Sequence, residues 1–89
     1  MGDPVQGIAV LEGAIAKSTN KKNGGKYYDL ACLHSLLCHE KEAINALDIA
    51  LQNGYNNYDW IMKDRDFDNI KYKPAFKNLL QKYSIPYVS

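Results

Sequence analysis

No run of apolar residues approaches the roughly 18 to 20 needed to cross a bilayer, so the sequence contains no candidate membrane-spanning helix. Nor does Met1-Gly2-Asp3-Pro4 have the basic-then-apolar layout of a secretion signal, and Gly2 is a poor myristoylation candidate because Pro4 and Gly7 interrupt the motif. Charge of one sign is missing too: 11 basic residues stand against 10 acidic ones, for a net charge of +1. Balance of this kind removes any global electrostatic case for nucleic acid, anionic membrane or an acidic substrate, so partner choice must come from local surface. Cysteine is scarce as well. Cys32 and Cys38 are the only two, and along one helix they would stand about 9 Å apart and about 120° round the axis, too far to pair as a disulfide. Two unpaired thiols without a signal fit a reducing compartment. The expectation is a soluble intracellular protein, cytoplasmic or inside an organelle such as a plastid.

At 89 residues the chain makes a single domain, spanning 1–89, stabilised by roughly 5 kcal/mol. Asp3-Pro4-Val5-Gln6 has the form of a helix start, with an N-cap Asp, a Pro at the first helical position and a Gln three residues after the cap. Ile8, Leu11, Ala14 and Ile15 then form an apolar stripe that ends in a polar loop over residues 18–25. A second helix is expected from Lys26 to about Leu37, carrying Tyr27, Leu30, Ala31, Leu33, His34 and Leu37. Ala43, Ile44, Leu47, Ala50 and Leu51 define a third, and the short link between them demands a tight turn. Gly54 stands where a left-handed C-terminal residue belongs. Beyond it the chain turns aromatic, and residues 58–89 read as an aromatic-rich C-terminal capping segment. A short helix is expected over Tyr58 to Lys63, an irregular link to Tyr72 with a turn at Phe67, and a last helix from Pro74 to about Tyr83.

One internal repeat is visible. Gly7-Ile8, Leu11 and Ala14-Ile15 recur as Ala43-Ile44, Leu47 and Ala50-Leu51, 36 positions later and at the same offsets. That separation is close to the roughly 34 residues of a tetratricopeptide repeat. Residues 24–57 resemble one such repeat: Tyr27 stands at the motif aromatic, Leu30-Ala31 at its Leu and small residue, His34 where Tyr is usual, and Ala43, Leu47 and Ala50 along its second helix. Gly54-Tyr55, Asp59-Trp60, Asp66-Phe67-Asp68, Ile70 and Pro74-x-Phe76-x-x-Leu79-Leu80 resemble the variant that closes a group of repeats. Cys38 departs from the pattern where a turn Gly is usual, and Tyr55 where Pro is usual. The resemblance implies an all-α, TPR-like helical hairpin of about one and a half repeats over 5–57, of the α-α superhelix type, plus the cap. A generic three-helix bundle with Ala and Leu at these spacings is the plainer alternative, and the chain could be the capping end of a longer array.

Several residue sets have the types, but not the spacing, of a chemical site. Cys32-x-His34 and Cys38-His39 are zinc-ligand types, yet along one helix Cys32 and His34 point roughly 200° apart and Cys32 and His39 lie about 10 Å apart, so no metal site is expected. Asp64-x-Asp66-x-Asp68 opens like a calcium loop, but Asn69 and Ala75 occupy the positions that need Gly and Glu. Helix capping by these acids is the simpler account. Asn23-Gly24-Gly25-Lys26 lacks the spacing of a phosphate loop and reads as a flexible turn. Lys71, Lys73, Lys77 and Lys82 interleave with Tyr72, Phe76 and Tyr83, a mixture that can bind RNA, though an amphipathic helix explains it more simply. No Ser/His/Asp or Cys/His set has a workable geometry, so neither catalysis nor a cofactor is expected.

The resemblance then implies a protein-interaction module. Tyr28, Cys32, Ser35 and Leu36 match the positions that face the concave groove of such repeats, with a protein or peptide as partner. The members that grip an acidic C-terminal peptide have Lys and Asn at two of these places, where Tyr28 and Cys32 stand here, so a chaperone-tail clamp is not expected. Nucleic acid and self-association into a homo-oligomer are the competing partner classes.

Overall fold

The computed structural model describes residues 4–17 and 23–86. Five helices follow in order: α1 Pro4–Lys17, α2 Gly24–Leu36, α3 Glu40–Gln52, α4 Tyr58–Lys63 and α5 Pro74–Lys82, with a 3₁₀ turn at Arg65–Phe67 between the last two. Among the described residues no strand occurs and no helix is long and apolar enough to cross a membrane. The expected Asp3 cap and most of the 18–25 loop lie outside the described residues.

α2 and α3 form a hairpin, and its seam is made of small side chains. Ala31, Ala43, Leu47 and Ala50 are fully buried and Ala46 nearly so, which lets two helices approach closely while the leucine fills the space beside them. Helix α2 starts at Gly24, two residues before the expected Lys26. A Cβ at Gly24 would stand 3.2 Å from Tyr55 N and 3.3 Å from the Ala50 and Asn53 carbonyl oxygens, so the first turn of α2 lies tightly against the end of α3 and a larger residue there would push the two backbones apart by a few tenths of an ångström. The stretch expected as a flexible turn is therefore partly helix. Against the other side of α2 lies α1, with Gly7 facing Leu33 and with Ile8, Leu11 and Ile15 partly buried. Ala14, expected on that stripe, is exposed.

Three helices end in the same way. After α2, His39 N donates to His34 O and Cys38 N to Ser35 O; after α3, Tyr55 N donates to Ala50 O and Gly54 N to Leu51 O; after α5, Ile85 N donates to Leu80 O and Ser84 N to Gln81 O. These paired bonds close a Schellman motif, which needs a left-handed residue at its centre. That residue is Cys38 (φ 60°), Gly54 (φ 94°) and Ser84 (φ 57°) in turn. Only the second is glycine, so the other two carry steric strain. Cys38→Gly is expected to stabilise the protein by about 0.5 to 1 kcal/mol, the relief exceeding the extra chain entropy of glycine. A urea midpoint that fails to rise would show the turn to be unstrained.

The C-terminal third extends the core of the hairpin. Ile61, Phe67, Ile70, Phe76 and Leu80 are at or near zero exposure, and the Phe67 and Phe76 rings lie 5.8 Å apart. Pro74 opens α5 at its first turn, where a missing amide hydrogen costs no bond. The α5 end is fastened to α3 by Asp48, whose carboxylate accepts hydrogen bonds from Tyr83 OH and from Lys82 Nζ, the latter at 3.1 Å.

Candidate functional site

On the face of α2 away from α1, Tyr28 and Cys32 sit one turn apart and meet the segment that links α4 to the 3₁₀ turn. Asp64 makes the junction. Its Oδ1 accepts from Asp66 N at 3.0 Å, capping the 3₁₀ turn, while Oδ2 accepts from Tyr28 OH at 2.6 Å and from the Cys32 thiol at 3.6 Å. One carboxylate thus sets a local turn and ties it to a helix some 36 residues earlier in the chain. A short hydroxyl-to-carboxylate bond is among the stronger neutral-to-charged kinds. The Tyr28 ring is held as firmly as its hydroxyl: it stacks on Tyr55 at 4.2 Å and 9° and takes Phe67 edge-on at 5.4 Å.

Four groove positions expected from the sequence therefore separate. Tyr28 and Cys32 are 4% and 7% exposed and Ser35 is 0% exposed, because the chain's own 58–70 segment covers them. Ser35 O accepts from Asn69 Nδ2 at 2.9 Å, and Ser35 Oγ has no hydrogen-bond partner among the described residues. Leu36 alone is open, at 46%. The expectation of a groove lined by the bare outer side of α2 is corrected on this point: the aromatic cap folds over that side. Of the seven repeat positions, Leu30, Ala31, Ala43, Leu47 and Ala50 are buried, and Tyr27 and His34 are half-buried.

What remains open beside the junction is a cleft of about 380 Å³ lined by Tyr28, Asp29, Cys32, Leu33, Trp60, Asp64 and Asp66. Trp60 forms an exposed wall, at 49%. Three of the seven lining residues are aspartates and none is Lys or Arg, so the cleft is negative with an aromatic side. Asp29, Trp60 and the inward role of Asp64 were not singled out from sequence. Asp29 follows Tyr28 on the helix and could be placed by its angle, but the meeting of α2 with residues 60–66 needs the tertiary fold.

Protonation follows from this setting. Burial, then the Asp64 carboxylate it donates to, pushes the Tyr28 hydroxyl far above the ordinary phenol range, and burial, then the Asp64 charge, does the same for the Cys32 thiol. Cys32 therefore stays a protonated, weakly nucleophilic thiol. Cys32, Asp64 and Asp66 bring donor atoms within 4.8 Å of one another, but Asp64 already has both oxygens engaged. Asp29 and Asp66 titrate above the usual carboxylate range, first through burial and then through repulsion by Asp64.

A pH dependence follows, with opposite signs at two places. A carboxyl whose value is raised in the fold contributes most below its unfolded value of 3.8, and that contribution is lost as pH rises through the raised value. Asp48 behaves in reverse. Burial alone would raise it, yet bonds from Tyr83, Lys82 and Gln52 prevail and lower it, so its contribution exists above 3.8 and is lost as pH falls through the lowered value. As far as these groups act, stability should increase as pH drops from neutrality toward the carboxylate range, then decline. Urea midpoints across a pH series should trace that hump, and Asp66→Asn should flatten its rising side; an Asp66→Asn curve parallel to wild type would refute the assignment.

Comparison with protein-family models, with curated proteins and with solved structures finds no match.

Proposed function

We propose that this chain is a protein-interaction module that holds a segment of a partner protein in the cleft beside α2, and that the segment presents a basic side chain. The helical hairpin with its alanine seam, together with the residue pattern that resembles a tetratricopeptide repeat of the group-closing type, supports the general class. The single observation that carries the finer reading is the lining: Asp29, Asp64 and Asp66 with the exposed ring of Trp60 and no basic residue among them. A Lys or Arg side chain would find carboxylates for its head and an aromatic face for its stem. An acidic peptide tail would be repelled, in keeping with the lack of a carboxylate clamp at Tyr28 and Cys32.

Trp60 is the one tryptophan in the chain, so its fluorescence reports directly on this cleft. Titration with an Arg- and Lys-containing peptide should change that emission, while an acidic peptide of equal length should not. Because Tyr28 is buried, Tyr28→Ala would confound binding with folding, and exposed residues make better probes. Asp29→Ala is expected to weaken the basic peptide, and a captured partner should lose about 2 kcal/mol, roughly thirtyfold, on Trp60→Ala. Equal affinity for the wild type and both variants would overturn the reading. Binding of a polynucleotide that falls steeply with salt would favour the nucleic-acid alternative instead.

A further inference from the structure

We infer that His34 and His39 form a two-donor site for a late first-row divalent cation, with Zn2+ the best geometric match. Their Nδ1 atoms lie 3.3 Å apart at the surface, with ring centroids 5.5 Å apart and planes inclined by 40°. Two nitrogens each about 2.0 to 2.1 Å from a tetrahedral zinc are themselves about 3.3 to 3.4 Å apart. The spacing between the rings is thus already the spacing between ligands.

Sequence spacing argues against such a pair. Five residues along an unbroken helix would set the two about 7.5 Å apart in height and about 140° apart in direction. The break after α2 changes this. Cys38 takes the left-handed turn, and the closing bond of that turn, His39 N to His34 O at 2.9 Å, joins the same two residues through the backbone. His34 is in the last turn of α2 and His39 caps α3, so both side chains spring from positions fixed by helix ends. The helix geometry along which Cys32, His34 and His39 were set apart therefore does not hold past Leu36.

In the structure one ring donates Nδ1–H to the other. Binding requires both Nδ1 lone pairs, so the donor ring releases its Nδ1 proton to solvent and takes one at Nε2. The cation replaces the shared hydrogen, each imidazole remains neutral, and no net proton is released. Among the described residues no third His, Cys, Asp or Glu donor lies within 4.8 Å of both ring nitrogens. Water therefore completes the coordination, as in an open rather than a closed site. The ion would clamp the α2–α3 turn and stabilise the folded hairpin by mass action.

Titration of the full chain with ZnCl2, followed by calorimetry and by the shift of the histidine ring resonances, tests this. One ion should bind, and His34→Ala and His39→Ala should each weaken it by about a hundredfold, since the second donor acts intramolecularly. Cys38→Ser and Cys32→Ser should leave it unchanged, and zinc should raise the urea midpoint of wild type but not of His39→Ala. His39 is exposed, so that variant retains the fold. Absence of zinc binding, equal binding by His39→Ala, or loss of binding on Cys38→Ser or Cys32→Ser would each overturn the site.

Discussion

Phe67→Ala is expected to remove most of the protein's stability. Phe67 is fully buried and its ring touches both Tyr28, edge-on, and Phe76, tilted. It sits in the 3₁₀ turn that Asp64 caps, so its ring carries α2, the 58–67 segment and α5 on a single contact surface. Truncating a buried phenylalanine to alanine costs about 3 to 5 kcal/mol, from lost transfer energy plus the cavity left behind. A domain of this size has roughly 5 kcal/mol in total. The thermal midpoint should fall by about 12 to 40 °C, given roughly 4 to 8 °C per kcal/mol in domains of this length. Phe67→Leu, which keeps most of the volume, should lose far less. A loss under 1 kcal/mol for the alanine variant would mean that the C-terminal segment folds without reference to the hairpin.

The same ring explains why part of the site could not be read in advance. Gly54, Pro74 and the apolar stripes of α2 and α3 follow local rules, where a left-handed cap, a missing amide hydrogen and a 3.6-residue period act within a few positions. The short α4 over Tyr58 to Lys63 and the capping role of an aspartate in the 64–68 run also follow from neighbours in sequence. Tyr28 and Cys32 could be assigned to one face of α2 on the same ground. That Asp64 would reach them could not, because the aromatic tail has no period from which to tell an inward ring from an outward one. Trp60 and Phe67 illustrate the point: both are aromatic, seven residues apart, yet one walls an open cleft and the other is fully buried between Tyr28 and Phe76. Likewise the approach of His34 to His39 hangs on a left-handed cysteine, a conformation that residue type argues against.

The repeat inside the chain yields a matched comparison. Ala14 in α1 and Ala50 in α3 hold the same offset in the recurring pattern, yet Ala14 is exposed and Ala50 is fully buried. Position in a pattern is thus not enough; what matters is whether a second helix lies against it. Phenylalanine introduced at Ala43 or Ala50 must push α2 from α3, because the seam there is closed by Ala31, Leu47 and the glycine contact at Gly24. Overpacking of this kind costs about 1 to 3 kcal/mol in most cores, and a seam closed mostly by alanines and backbone should lie at the upper end or beyond. Phenylalanine at Ala14 should change stability by less than about 0.5 kcal/mol. Urea unfolding of the three variants reads the contrast directly. Equal losses at Ala14 and Ala50 would show that the two helices have equivalent surroundings, and small losses at both Ala43 and Ala50 would show that close packing of α2 on α3 is not what holds the hairpin together.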